Sequence, residues 1–265
     1  MFGPWPSAIE AWEKSMRVQV ALAVALCLSL VRPARADGLL DRLPEDGTWA
    51  RYSIKQTMTL PKGKKETVEG TLTLASVGQE KVKGEVCRWI EIVIEAKLPG
   101  EQRTMKSAFK ALIPEKRLRK GEDPLRNWVR GWAKLGDQKP QALTKELLSN
   151  PAMMLNLLVS GPLQDAKALE NKSIETKLGK LTCERLAGSL TLKGAAVSLK
   201  DGKVTTGDVK VRVQNYLHDK APFGVVVSRL EAEFPDLGDG KSSAEAELTL
   251  LDVGTGSKSE LPDQK

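Results

Sequence analysis

The chain has 265 residues, of which 41% are apolar and 28% charged, and it carries a net charge of +7. This composition excludes a disordered chain, and the length allows one or two domains with a sizeable core. Beyond residue 36 the chain has one histidine and two cysteines, which cannot supply the four ligands of a zinc centre at any recognised spacing, so no metal and no cofactor is expected.

Residues Met16–Ala36 have the three parts of a secretory signal peptide, and residues 1–15 precede it. Arg17 supplies a positive start, Val18–Val31 is an apolar run, and Ala34–Ala36 is a small-x-small cleavage site. The run is shorter than the roughly 20 residues that span a bilayer, although an uncleaved anchor is the alternative. We therefore expect an exported protein, periplasmic or extracellular, cleaved near residue 36, with Met16 as an alternative start.

The cysteines predict a disulfide bond. Cys27 lies inside the apolar run and follows Leu26, which does not fit a lipoprotein signal, so it should leave with the signal peptide. An even pair, Cys87 and Cys183, then remains, which favours a bridge in an exported chain. Closing a loop of this length would stabilise the fold by about 4–5 kcal/mol in the chain-entropy model. Two buried thiols are the alternative.

The stretch after the signal peptide predicts antiparallel strands. Four runs alternate between apolar and polar residues with turns between them: Gly47–Leu60, Glu66–Val77, Val86–Leu98 and Arg103–Ile113. In the third run Ile90, Ile92 and Ile94 share one parity, which should face the core. Runs joined by short turns in this way predict a meander.

The spacing of the apolar residues changes in the middle of the chain, between residues 114 and 170. Pro124–Leu135 carries apolar residues at three- and four-residue intervals, although Gly131 weakens a helix there. Lys145–Ser160 has a similar spacing, interrupted at Pro151. We therefore predict a helical insert that packs on a sheet.

Strands resume in Ile174–Phe234 and once more in Ser243–Asp252, before a polar tail at residues 254–265 that we expect to be flexible. The sum is a mainly β (α+β) fold: a strongly curved antiparallel sheet, or half-barrel, of eight to ten strands. The helical insert would lie in its concavity. A single domain over residues 37–253 is expected.

Catalytic motifs are missing from the sequence. His218 is the only histidine, and no GxSxG elbow, P-loop or GxGxxG turn accompanies it. Its position before a turn is more typical of a surface residue. The carboxylates are numerous, but no spacing singles out an acid–base pair. A non-catalytic protein is therefore expected, and an enzyme with an unrecognised site is the third hypothesis.

Basic residues concentrate in residues 103–134, where Trp128 and Trp132 lie between them. Indole rings suit an interface and cations suit phosphate, so Arg126 and Arg130 are candidates to contact an anionic headgroup or, peripherally, a membrane. A solvated surface with packed tryptophans is the simpler alternative. Nucleic-acid binding is not expected, since the chain is exported and lacks a recognition motif.

Two segments carry a resemblance to a known superfamily: Glu175–Cys183, with a threonine-x-x-glycine strand, and Lys220–Val226, with a proline-x-glycine-valine turn. Together they resemble exported bacterial proteins of the half-barrel superfamily of the periplasmic lipoprotein carrier and its outer-membrane receptor (LolA/LolB-like). The resemblance covers roughly residues 47–234. It implies a curved sheet wrapped around helices, with a concave apolar face that accepts acyl chains.

The resulting hypothesis is a binding or carrier protein for a lipid or acyl ligand. The middle of the chain would act as a lid, and its apolar side chains would line the cavity: Met153, Met154, Leu157, Leu158, Trp128 and Trp132. The same cluster could be ordinary core. The alternative function is an envelope domain that binds a protein partner and has no small ligand.

Overall fold

The computed structural model describes Leu40 and residues 42–97, 104–117, 128–143, 163–200, 203–236 and 240–261. In these residues the chain forms eleven strands and two short 3-10 turns, Pro61–Gly63 and Glu115–Arg117. The strands are β1 (Trp49–Thr59), β2 (Lys65–Val82), β3 (Glu85–Lys97), β4 (Thr104–Pro114), β5 (Arg130–Leu135), β6 (Gln141–Ala142), β7 (Gln164–Thr176), β8 (Gly179–Lys200), β9 (Lys203–Leu217), β10 (Val225–Phe234) and β11 (Ser242–Gly254).

All eleven strands belong to one antiparallel sheet, in the order β6-β5-β4-β3-β2-β1-β11-β10-β9-β8-β7. Strands that follow each other in the chain are paired, except that β6 and β7 are not paired with each other and form the two edges of the sheet. The pairing of β1 with β11 joins the two halves, with Trp49 opposite Gly254 and Thr59 opposite Ser243. The predicted antiparallel meander is therefore confirmed, and the sheet is not closed.

The strand count and the first predicted helix need correction. The sheet has eleven strands rather than eight to ten. The predicted helix over Pro124–Leu135 is wrong where the structure describes it, because Arg130–Leu135 is a strand paired with β4. A Cβ added at Gly131 would lie 2.6 Å from the carbonyl oxygen of Lys110, so glycine permits this close pairing. Lys145–Ser160 lies outside the described residues, and its helix stays a prediction.

One face of the sheet carries the main apolar cluster, and we call it the inner face. Ile90 and Ile92 are buried there, which confirms the predicted inward parity of β3. Leu74 and Phe109, the partners of Ile92 on β2 and β4, continue the same face. Sheets of more than about ten twisted strands usually curl, and curling allows a sheet to cover its own inner face.

The opposite, outer face carries a second, small apolar cluster. Val93 and Ala108 pack there with Leu261, and the half-buried Trp132 borders them. The chain therefore returns across β3–β5 after β11 has ended, whereas the sequence predicts a flexible tail from residue 254. The described part of the tail, as far as Leu261, packs on the sheet. The backbone amides of Glu260 and Leu261 donate hydrogen bonds to the Glu91 carboxylate.

The predicted disulfide between Cys87 and Cys183 is not formed. Cys87 lies on β3 and Cys183 on β8, and five strands separate them in the sheet. A bridge requires Cα atoms within about 7 Å, and strand pairing does not bring residues on strands that are not neighbours that close. Both thiols are buried and point toward carbonyl oxygens two residues earlier in the chain, those of Glu85 and Leu181. Burial also raises the pKa of the Cys183 thiol.

Candidate functional site: the inner face of the sheet

The inner face is covered at one end, which we call the closed end, by two segments that do not belong to strands. Leu40 and the residues after it precede β1, and the turn 218–224 connects β9 to β10. Leu40 and Phe223 are almost completely buried in the main cluster. These two segments therefore seal the apolar interior at this end.

Arg42 holds the two closing segments together. Its guanidinium donates hydrogen bonds to the carbonyl oxygens of His218, Asp219, Ala221 and Pro222, at 3.2, 2.5, 2.6 and 3.1 Å. A planar guanidinium has several donors in a fixed arrangement, so one side chain can satisfy several carbonyl groups of a tight turn. The arrangement fixes the turn against the start of the sheet.

A second arginine, Arg88, joins the segment before β1 to the 3-10 turn that follows β4. Its Nη1 atom donates to the carbonyl oxygen of Pro44 at 2.7 Å, and Nε and Nη2 donate to Oε1 of Glu115 at 2.9 and 2.6 Å. The Arg88 side chain is only 11% exposed. A largely buried ion pair is stable only when its hydrogen-bonding groups are satisfied, and here Pro44 and Glu115 accept the hydrogen bonds of the Arg88 guanidinium.

Tyr52 anchors the interior next to Arg42. Its ring is fully buried, and its hydroxyl donates to the carbonyl oxygen of Val225 at 3.0 Å. Burial strongly raises the pKa of this hydroxyl, and the nearby Arg42 cation opposes the shift only in part. A phenolate at this position would therefore be unfavourable in the folded state.

We expect the raised pKa of Tyr52 to make the protein sensitive to alkali. In the unfolded chain the hydroxyl ionises near pH 10, whereas in the folded protein it stays protonated, so stability is retained below pH 10 and lost as the pH rises further. The wild type should lose about 1.4 kcal/mol per pH unit more than Tyr52→Phe between pH 10.5 and 11.5. Urea unfolding at several pH values measures the difference, in which other titrating groups cancel. Parallel curves would contradict the prediction.

At the opposite end of the same strands, which we call the open end, the inner face is only partly covered. Along β3, Ile90 and Ile92 are buried but Ile94 is not fully so. Along β4, Phe109 is 5% exposed and Met105 is 43% exposed. The apolar surface thus becomes more accessible toward one end.

In the second half of the sheet the exposure is less regular, because Ala232 and Ala244 remain buried near the open end. Phe234 at the end of β10 and Ala246 on β11 are partly buried and pack against the main cluster, whereas Leu230 and Leu248 are buried. Sequence analysis did not single out Phe234 or Ala246 as site residues. The available signal was the apolar parity of β10, which continues to Phe234 at the end of the strand instead of changing to polar residues.

The structure separates the two tryptophans that were predicted to line one cavity. Trp128 packs against the main cluster, and Trp132 packs against the outer cluster. Arg130, a predicted headgroup contact, pairs with Glu80 and lies 5.4 Å from the centre of the Trp89 ring. The other predicted site residues lie outside the described residues: Arg126, Met153, Met154, Leu157 and Leu158.

Other kinds of site find little support in the described part of the chain. His218 belongs to the closing turn, where its Nδ1 atom accepts a hydrogen bond from the Lys220 amide at 3.0 Å. Within the described ranges, no three histidine, cysteine or acidic side chains are grouped to hold a metal ion. In the same ranges no helix has the length and apolarity to cross a membrane.

Comparisons with known proteins give only structural likenesses. No protein-family model matches the sequence, and no curated protein matches it. Solved structures do: a DUF1329 family protein from Desulfovibrio piger has a TM-score of 0.33 and 12% identity, with 82% of this chain and 88% of that chain covered. A LolA superfamily protein from Nitrosomonas europaea has a TM-score of 0.29 and 12% identity, with 86% and 96% covered.

A protein from Bacteroides fragilis that is described as exported, with a YmcC-like fold, has a TM-score of 0.31 and 8% identity, with 80% of this chain and 98% of that chain covered. The structures found thus include a member of the superfamily that the sequence resembles. TM-scores of this size reflect a limited structural likeness. What the chain does has to be argued from its own residues.

Proposed function

We propose that this is an exported, non-catalytic binding or carrier protein for an apolar ligand such as an acyl chain. The observation that carries the proposal is the exposure of the inner-face residues at the open ends of β3, β4 and β10, compared with the sealed closed end. A ligand that enters at Ile94, Met105 and Phe234 would extend the apolar core of the protein. Binding sites for small molecules are typically concave and mostly apolar in this way.

The chemistry of the inner face suits such a ligand. Its described positions on β2, β3 and β11 are largely aliphatic, and deeper in the interior Ser228 donates to Oδ1 of Asn215 at 2.8 Å. Since this buried polar pair satisfies itself, it does not demand a polar ligand. The signal-like segment at residues 16–36 supports a place outside the cytoplasm, where acyl ligands have to be carried through water.

Binding of cis-parinaric acid, a fluorescent fatty acid, tests the proposal on protein purified without detergent. We expect saturable binding to the wild type. Ile94→Glu and Phe234→Glu should each raise Kd by about tenfold or more, because a carboxylate at the open end would have to be desolvated by the acyl chain. Native mass spectrometry checks for lipid that co-purifies.

The matched control is Thr67→Glu, which adds the same charge at the same end but at an exposed position of the outer parity of β2. Its Kd should stay within about twofold of the wild-type value, which corresponds to a change in binding free energy well below about 1 kcal/mol. Circular dichroism establishes that each variant is folded. Absence of saturable binding to the wild type, or an equal loss in Thr67→Glu, would contradict the proposal.

The second candidate function is an envelope domain that binds a protein partner. It is favoured by a different observation, the way in which the chain's own C-terminal residues lie on the outer face of the sheet.

A further inference from the structure

The outer face of β3–β5 holds a short segment of the chain in a groove. After β11 the chain turns at Gly256, where the Ser257 amide donates to the carbonyl oxygen of Gly47 at 2.9 Å. Residues Ser257–Leu261, which we call the C-terminal strap, then cross β3. The strap joins no strand of the sheet, and beyond Ser257 its described contacts are with side chains of the outer face.

One carboxylate receives most of the strap's polar contacts. Glu91 is 2% exposed, and it accepts hydrogen bonds from the amides of Glu260 and Leu261 at 2.8 and 3.3 Å and from the Ser259 hydroxyl at 2.5 Å. Two successive amides and a hydroxyl define both the direction of a peptide and the residue at one position. Charge-assisted hydrogen bonds of this kind are among the stronger ones.

Two further contacts depend on the strap's side chains. Leu261 is 2% exposed and packs between Val93 and Ala108 beside Trp132. The carboxylate of Glu260 lies 2.6 Å from Nζ of Lys106. The hydrogen bond to Glu260 raises the pKa of the Lys106 ammonium, and Oε1 of Glu95 also lies 3.2 Å from its Nζ.

The strap does not fill the groove. A cavity of about 300 Å³ borders Leu261, and it is lined by Ala108, Lys134 and Asp137, among others. The side chains of Lys258 and Glu260 are exposed, so the strap is held mainly through Glu91 and the leucine. A contact of this size can open without unfolding the sheet.

We propose that the groove formed by Glu91, Val93, Lys106, Ala108 and Trp132 is a peptide-binding site that the C-terminal strap occupies in cis. Its partner is an extended segment of another protein with the pattern Ser-acidic-Leu, in which the hydroxyl and the two following amides meet Glu91. Lys106 contacts the acidic residue and the outer cluster receives the leucine. The strap then acts as a competitor that the partner displaces.

Fluorescence anisotropy with a labelled peptide tests the competition. The peptide GSKSELPDQ reproduces residues 256–264 and is titrated with the wild type and with Leu261→Asp, in which the strap is weakened. We expect the variant to bind the peptide at least about tenfold more tightly. In the wild type only those molecules whose strap has left the groove can bind, so the apparent affinity is the intrinsic affinity multiplied by the fraction of open grooves. Equal affinities, or no binding to the folded variant, would overturn the proposal.

Matched variants locate the binding. In the Leu261→Asp background, Glu91→Gln should weaken peptide binding by about tenfold or more, since one acceptor charge is lost. Glu247→Gln, at an exposed outer-face carboxylate paired with Arg229, should leave it unchanged. Peptides with Ser259 replaced by alanine or Leu261 by aspartate should bind more weakly. Equal binding by Glu91→Gln, or by these peptides, would overturn the groove assignment.

Hydrogen exchange on the wild type provides a readout that does not depend on the variants' folding. Excess unlabelled peptide should accelerate exchange at the strap amides of Glu260 and Leu261, because displacement exposes them to water. Unchanged exchange at peptide concentrations that saturate binding would overturn the proposal.

Discussion

Replacing Phe223 by alanine is expected to lower the free energy of unfolding by about 3–5 kcal/mol. The ring is completely buried in the main cluster, in the turn that covers the closed end of the inner face. Arg42 fixes this turn through its carbonyl groups, so the turn cannot collapse easily into the space that the ring leaves. Urea unfolding followed by tryptophan fluorescence measures the change.

Phe234→Ala is the matched control, because it removes the same side chain at the open end. Phe234 is partly exposed, so its removal forfeits less buried area and leaves a surface depression instead of a cavity. A cost of about 1–2 kcal/mol is expected. Equal costs for the two substitutions would show that both ends are equally sealed, and would remove the observation on which the proposed ligand-binding function rests.

The sequence predicted the strands well where local alternation decides which face is buried. In β3 the isoleucines share one parity, and the structure buries Ile90 and Ile92 in the main cluster. The pairing of β1 with β11 could not be derived in this way. It joins residues about 200 positions apart, and many apolar-alternating strands would satisfy the same parity.

The error at β5 has a physical origin. Trp128 and Trp132 are four residues apart, which is the spacing of one helical face, but they pack against different clusters. Gly131 indicated the correct structure, because a helix interior disfavours glycine, whereas close approach to β4 requires it.

The strap and the cysteines depend on long-range contacts. Glu91 lies at an outward position of β3, where parity predicts a solvated carboxylate, but the returning chain donates hydrogen bonds to it. The even number of cysteines favoured a disulfide, but a count of cysteines contains no information about the distance between them in the sheet. Neither property can be derived from residues that are neighbours in the sequence.

Replacing Arg42 by methionine should cost about 2–3 kcal/mol, the second large effect on stability. The methionine keeps most of the aliphatic packing but leaves several turn carbonyls without their donor, among them those of Ala221 and Pro222. Arg42→Lys is the informative comparison: it retains the charge, but an ammonium cannot reach all the carbonyl groups at once.

We therefore expect Arg42→Lys to recover only about 1 kcal/mol in urea unfolding. Hydrogen exchange should show faster exchange in both variants at the Ala221 and Gly224 amides, which donate hydrogen bonds within the turn. Full recovery by lysine would mean that charge, not the arrangement of donors, holds the turn. Because the turn seals the apolar interior at the closed end, loosening it with Arg42→Lys, which keeps the cation, should also admit water to Tyr52. The alkaline sensitivity that Tyr52→Phe removes should therefore be smaller in the Arg42→Lys background than in the wild type.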